Sequence, residues 1–336
     1  MRYFLFFLLC LPLGARAQVL PWAQGYGTTV DETGGYAVAM PGGGYLLAGQ
    51  QPYANGFASR LYLVRTNDVG DTLWTKRVSP PYALLPTLSG MVRDASGNVL
   101  LTGYENGRGN QTGFAMKLNP IGDTLWTRTY RPALQAGSTG QTYVFPAIIA
   151  SDGNYLFVRN DNDFLPSPPY FIATVNLYKV NAPTGNVMWS FNIGNYLTAA
   201  GFDPPNTQYA NPVISGNNIT MLVEGTLGGN TNGVKGYFLF NSTTGALVQF
   251  RRRDGLYLND NIPTSSVTQD GNILMGRRQN ITKITPVGDT LWRTVAPSRY
   301  ANRSWDARAI VEDAQGGLLL VGDSQYQNGG AGGSSN

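Results

Sequence analysis

Gly70-Asp71-Thr72-Leu73-Trp74 returns as Gly122-Asp123-Thr124-Leu125-Trp126 and again as Gly288-Asp289-Thr290-Leu291-Trp292. A looser copy, Gly185-Asn186-Val187-Met188-Trp189, stands between the second and third. A vestigial Gly245-Ala246-Leu247-Val248-Gln249 follows it. The opening glycines are spaced by 52, 63, 60 and 43 residues. Self-similarity at this spacing signals one supersecondary unit copied and stacked.

The surroundings repeat as well. Ahead of each copy runs a short apolar stretch, such as Phe114-Ala115-Met116-Lys117-Leu118, then a turn, such as Asn119-Pro120-Ile121-Gly122. Pro presets φ there and Gly accepts positive φ. A hairpin recurs upstream, jointed at Gly42-Gly43, Ser96-Gly97, Asp152-Gly153, Gly216-Asn217, Asp270-Gly271 and Gln315-Gly316. Such dipeptides between apolar runs are strong hairpin signals. Each unit therefore holds four strands, two in the hairpin, one before the turn and one opened by the repeated segment. The second strand, for example Val99-Leu100-Leu101, is apolar without alternation, as suits burial on both faces.

Four short strands per unit without helical periodicity predict an all-β fold, a β-propeller of four-stranded antiparallel blades. Trp74, Trp126, Trp189 and Trp292 are expected to pack between neighbouring blades, since large aromatics dominate core burial. Trp22 precedes Trp74 by 52 residues and reads as a fourth strand without its own first three. Residues 307–323 supply a hairpin without a fourth strand. Pairing the two ends gives about six blades, the N-terminal strand closing the last and removing an exposed edge.

Arg2, the apolar stretch Phe4 to Leu13 and Ala15-Arg16-Ala17 form a secretory signal, residues 1–17. The propeller is expected over 18–324, with 325–336 a flexible Gly/Ser-rich tail or truncated end. The apolar stretch is too short to span a bilayer, and Cys10, the only cysteine, leaves with it, so no disulfide framework is expected. Removing Arg2 and Arg16 from 24 basic residues leaves 22 against 20 acidic ones, which gives no case for nucleic acid. The expected protein is exported to the periplasm, cell surface or medium, is a monomer, and has no transmembrane segment.

The units resemble those of secreted β-propeller-repeat proteins of the Bacteroidetes, a type IX secretion-associated family. The matching residues are Gly43-Gly44-Tyr45-Leu46-Leu47-Ala48-Gly49, Gly316-Gly317-Leu318-Leu319-Leu320-Val321-Gly322 and the three Trp segments. A more distant resemblance, at Thr184-Gly185-Asn186-Val187-Met188-Trp189, is to quinoprotein-type propellers. It implies fold rather than cofactor, because the other copies lack the Thr.

In an antiparallel four-stranded unit the connections alternate between two ends. Here the short turns share one end, and the variable segments 75–88, 104–113, 127–143, 159–171, 190–210, 225–235, 250–262 and 293–306 share the other. A rigid scaffold carries function on such loops. The candidate ligand residues there are Tyr104, Arg108, Tyr130, Arg131, Tyr170, Tyr209, Arg277, Tyr300 and Trp305, of types enriched at binding hot spots.

Histidine is absent, which excludes Ser-His-Asp chemistry. Glutamate occurs only at Glu32, Glu105, Glu224 and Glu312, and Glu105 and Glu224 both follow second strands. Asn160-Asp161-Asn162-Asp163 alternates oxygen ligands, which makes Asp161 and Asp163 the candidate Ca²⁺ ligands, although the downstream Gly and Glu of a calcium loop are missing. The leading expectation is a non-catalytic module, without cofactor, binding a glycan or protein. A polysaccharide hydrolase or lyase using loop carboxylates and a quinone- or Ca²⁺-dependent oxidoreductase are the alternatives.

Overall fold

The computed structural model describes residues 24–30, 32–53, 58–81, 85–106, 110–131, 139–167, 171–199, 201, 208–209, 212–227, 230–253, 264–277, 280–296 and 303–326. The signal segment, Trp22, Arg108, Tyr170 and Tyr300 lie outside them.

The first sheet is β1 (Thr33–Ala39), β2 (Tyr45–Pro52), β3 (Ser59–Thr66) and β4 (Thr72–Val78), in chain order and antiparallel throughout. The second repeats the order with β5 (Pro86–Arg93), β6 (Val99–Asn106), β7 (Gln111–Leu118) and β8 (Thr124–Tyr130). In the third, the first strand is split into β9 (Thr139–Val144) and β10 (Ile148–Ile149), followed by β11 (Tyr155–Phe164), β12 (Phe171–Val180) and β13 (Val187–Asn192). A parallel bridge between Gln111 and Gln141 joins the second and third sheets.

After the helix α1 (Ile193–Ala199) comes the fourth sheet, β14 (Gln208–Tyr209), β15 (Val213–Ser215), β16 (Asn218–Leu227), β17 (Asn230–Asn241) and β18 (Leu247–Arg253). The fifth is β19 (Thr264–Val267), β20 (Ile273–Arg277), β21 (Asn280–Ile284) and β22 (Thr290–Val295), and the chain closes on the hairpin β23 (Arg303–Glu312) and β24 (Leu318–Tyr326). The fold is thus all-β, built from four-stranded antiparallel sheets.

Side-chain alternation along the second strand of each unit explains its unbroken apolar run. Val99 and Leu101 enter the core shared with the first sheet, while Leu100 enters the core shared with the third. Tyr155 and Phe157 turn back to the second sheet, and Leu156 and Val158 turn forward to the fourth. Ile273 and Met275 face the fourth sheet, and Leu274 faces the last hairpin. Each of these strands is therefore wetted on neither face, and each fully buried aliphatic contributes about 1.5–3 kcal/mol.

The repeated segment is a lock between consecutive sheets. A Cβ on Gly122 would stand 2.7 Å from the Trp74 ring; on Gly185, 2.8 Å from Trp126; on Gly245, 2.5 Å from Trp189. The indole N–H of Trp126 donates to the Ala182 carbonyl, and that of Trp189 to the Thr243 carbonyl, both at 3.0 Å. Where Trp is replaced by Gln249, Tyr237 of β17 covers the next glycine, Gly288, at 2.6 Å. The aspartate of the segment has a partner too: Lys76 pairs with Asp123 at 2.5 Å and Arg251 with Asp289 at 2.7 Å, each from the preceding sheet. These pairs are exposed and worth at most about 1 kcal/mol each, so the ring on glycine carries the lock.

Several expectations need correction. The variable segments are in good part strand and not loop: β8 runs to Tyr130, β9 begins at Thr139, β11 continues through Asp161 and Asp163 to Phe164, and β16 and β17 extend to Leu227 and from Asn230. The backbone ladder continues past the point where apolar side chains stop, because each N–H and C=O still needs a partner. Residues 193–199 form a helix that no periodicity announced. Asn192 caps it by accepting from the Asn195 N–H at 2.8 Å, and Ile193 and Leu197 plug the core between the third and fourth sheets. At the carboxyl end β24 continues to Tyr326, beyond the expected boundary at 324. Among the described residues β24 pairs with β23 alone, and residues 24–30 carry no strand. Trp292, followed among the described residues by a two-stranded hairpin alone, is 37% exposed.

Two outcomes follow for stability. Gly185 and Gly153 both have positive φ, 70° and 79°, but only Gly185 has a ring where its Cβ would go. Ala at either position costs roughly 1–2 kcal/mol of left-handed strain, and Gly185→Ala should cost about 1–3 kcal/mol more through the clash, read as a difference in denaturant midpoint. The second concerns Asp94, which is ion-paired with the buried Lys117 at 3.0 Å and accepts from the Tyr155 hydroxyl at 3.0 Å. Burial acts to raise its pKa, but hydrogen bonds from Asn98, Lys117 and Tyr155 outweigh it and hold the carboxyl below the ordinary 3.8. A depressed carboxyl stabilises the fold above its ordinary pKa and loses that contribution as pH falls through the folded value. Asp94→Asn should lower stability at neutral pH and flatten the acid limb of a stability–pH curve below about pH 4.

Candidate functional site

The end opposite the repeated turns carries the molecule's unusual chemistry. Six buried side-chain atoms lack a hydrogen-bond partner among the described residues. Five of them, Glu105 Oε2, Gln111 Nε2, the Tyr130 hydroxyl, Asn160 Oδ1 and Asp163 Oδ1, sit at this end of the second and third sheets. Only Ser266 Oγ lies elsewhere. Buried polar groups are nearly always satisfied, so this concentration singles out this end of the second and third sheets as the candidate site.

Strand alternation puts them there. The period that sends Val99 and Leu101 of β6 into the core sends Glu105 inward as well, and the residue is 4% exposed. Across the ladder Glu105 opposes Thr112, Gln111 bridges to Gln141, and Gln141 opposes Asn162 of β11. Burial raises the Glu105 pKa above the ordinary glutamate value, and the Arg131 charge beside it works in the opposite direction. The group is a buried carboxyl on which desolvation outweighs the neighbouring cation.

Beside it, Arg159 lies over the rings of Tyr130 and Tyr178, 5.5 and 5.7 Å from their centroids. It pairs with Asp161 at 2.8 Å and donates to the Arg131 carbonyl at 3.0 Å; Thr142 donates to Asp161 at 2.6 Å. Asp161 is thus engaged by a cation and a hydroxyl. The expected calcium loop is a strand hydrogen-bonded on both sides, with successive side chains on opposite faces, so its four oxygens do not converge. Among the described residues no three acidic, His or Cys side chains gather as a metal site.

Tyr104 packs edge-to-face on Tyr143, centroids 5.0 Å apart, and lies close enough to Tyr36 of β1 to help burial raise the Tyr36 pKa. This tyrosine arc borders a cavity of about 520 Å³ lined by Gly34, Gly35, Tyr36, Gly49, Gln50 and Thr87. A second cavity, about 340 Å³, adjoins it through the same glycines and reaches Glu32 and Tyr62. Volumes of this size hold small ligands.

Of the sequence candidates, the structure brings Tyr104, Tyr130, Arg131, Asp161 and Asp163 to one end of adjacent sheets. Tyr209 in β14, Arg277 ending β20 and Trp305 in β23 belong to other sheets. Sequence reading missed Gln111, Tyr143 and Tyr36. The available signal was polar residues closing otherwise apolar strands, as in Gln111-Thr112-Gly113-Phe114, where every residue is buried.

No protein-family model and no curated protein matches the chain. Among solved structures it is similar to the GH93 α-L-arabinofuranosidase of Fusarium graminearum, at 11% identity and TM-score 0.46, covering 86% of this chain and 91% of that one. It is also similar to the β-propeller domain of the Trilobed protease from Pyrococcus furiosus, at 9% identity and TM-score 0.43, covering 87% and 80%. A third is a eukaryotic initiation factor, at 12% identity and TM-score 0.40, covering 78% of this chain; the chain spans only 55% of that structure. Likenesses at this level concern strand arrangement and assign no activity.

The raised Glu105 pKa has a stability signature. The folded state holds the proton more tightly than the unfolded chain, so stability falls as pH rises through and above the ordinary glutamate value of 4.5. Glu105→Gln should remove that fall and leave the protein at least as stable as the parent at pH 7, as thermal melts from pH 4 to 8 will show.

Proposed function

We propose that the protein is an exported six-bladed β-propeller, its last sheet completed by the N-terminal strand around Trp22, whose loop-bearing end takes a glycan and cleaves it. The observation that carries this is that five buried amide, hydroxyl and carboxyl atoms without a partner among the described residues, Glu105 Oε2 among them, lie at one end of the second and third sheets. Amides and hydroxyls on strand ends match the hydroxyl groups of a sugar. Tyr104 and Tyr143 offer ring surface beside them. A glycan that covers the site satisfies these groups and excludes water.

Glu105 favours cleavage over binding alone. A carboxyl whose pKa is raised by burial is suited to protonate a glycosidic oxygen as it leaves. Asp161 and Asp163 are not its partner in that chemistry. They lie on β11, three strands away along the ladder, on the face of Phe157 turned to the second sheet, whereas Glu105 faces the first. Asp161 positions Arg159. The second catalytic group then comes from the first-sheet side, where Glu105 faces.

The test is release of reducing ends from a panel of polysaccharides. The parent should release them from at least one, and Glu105→Gln should lose about 10²–10⁴-fold in rate while binding the same polysaccharide in affinity electrophoresis. Binding without release by the parent would leave the non-catalytic module as the reading.

A further inference from the structure

Arg60 and Arg77 of the first sheet share a single acceptor. The Nε–H of each donates to the Gln51 side-chain oxygen, at 3.1 and 2.6 Å. Gln51 is 2% exposed and neutral. Two guanidinium groups are therefore held side by side on one uncharged atom, where they repel each other. The nearest carboxylate, Glu32, does not relieve this. Its Oε1 accepts from the Thr28 N–H at 3.0 Å and the Gln51 amide at 2.8 Å, and it makes no ion pair with either arginine. Among the described residues neither arginine has a carboxylate partner, and their Nη groups have no acceptor.

The pair is also pre-arranged. Arg60 lies over the Tyr53 ring at 4.8 Å and Arg77 over Tyr62 at 5.9 Å. A stacked guanidinium keeps its edge donors pointing outward in one plane, the geometry that grips an oxyanion bidentately. Register places all of this on one face: Gln51 opposes Arg60, and Tyr62 opposes Arg77. Tyr62 and Glu32 line the 340 Å³ cavity that adjoins the tyrosine arc.

We propose that Arg60 and Arg77 form an anion subsite beside this cavity that takes a carboxylate carried by the glycan. The inference rests on the glycan reading above and narrows it to acidic polysaccharides, those with uronic-acid units. A carboxylate laid across both edges fills the Nη donors and cancels the repulsion between the two cations. A neutral sugar does neither.

Calorimetry of the full chain with trigalacturonic acid and with its methyl ester tests this, because esterification removes the carboxylate charge and adds only a methyl group at each unit. The acid should bind about tenfold tighter than the ester, as one or two charge-assisted hydrogen bonds imply. The preference should vanish in the Arg60→Gln/Arg77→Gln double variant. Equal binding of acid and ester by the native protein overturns the inference and leaves the glycan reading standing; so does a preference that survives in the variant. If neither saccharide binds, the glycan reading is left to the polysaccharide panel, and sulfate alone decides the subsite. Sulfate binding by the native protein but not by the double variant sustains it, and no difference between them ends it.

Discussion

The fold depends on a ring seated on a glycine. The fourth strands of the first three sheets carry an indole, and the next sheet presents a residue without a side chain for it to cover. The contact fixes both the distance between consecutive sheets and their relative height. Both residues are needed. Without the indole the glycine turn loses its cover, and a Cβ on the glycine would stand within 3 Å of the ring at Gly122, Gly185 and Gly245. The positive φ at these glycines makes the demand twofold, since the turn and the packing exclude a side chain for separate reasons.

Variation in the lock is informative because it tracks the physics. When Trp gives way to Gln249, Tyr237 from the neighbouring strand supplies the ring over Gly288. Surface cover is the requirement, not indole chemistry. The charged partner likewise shifts between Lys76 and Arg251, and between an aspartate and the carbonyls and amide met by Arg128 at Thr184 and Asn186. Contributions of this size tolerate such exchange.

Locking the sheets at one end leaves the other end free to differ. There the strands outrun their apolar stretches, and the alternation that builds the core carries polar side chains into the same buried layer. Glu105 and Gln111 are buried, and Asn160 half-buried, because they continue the faces of Leu101, Ala115 and Val158, not because any local signal marks them for burial. That is how a stacked all-β scaffold makes a desolvated carboxyl and unsatisfied amides without helices, metals or histidine. The arginine pair of the first sheet arises the same way, on the face that ends in Gln51.

The sequence by itself determined the repeat, the four strands per unit, the burial of the second strands on both faces and the end of the molecule on which polar chemistry gathers. These follow from local spacing, because turn residues and side-chain period are properties of a few neighbouring amino acids. It also named Glu105, Tyr104 and Arg131, as residue types at that end. It misread Asp161 and Asp163 as loop oxygens, because polarity resembles exposure until a neighbouring strand is seen to cover it. Only the tertiary structure decided which polar groups are buried, that Arg159 engages Asp161, that Tyr36 meets Tyr104, and that two arginines share one amide. Those facts depend on which sheet stands beside which and at what height, and strands distant in sequence set both.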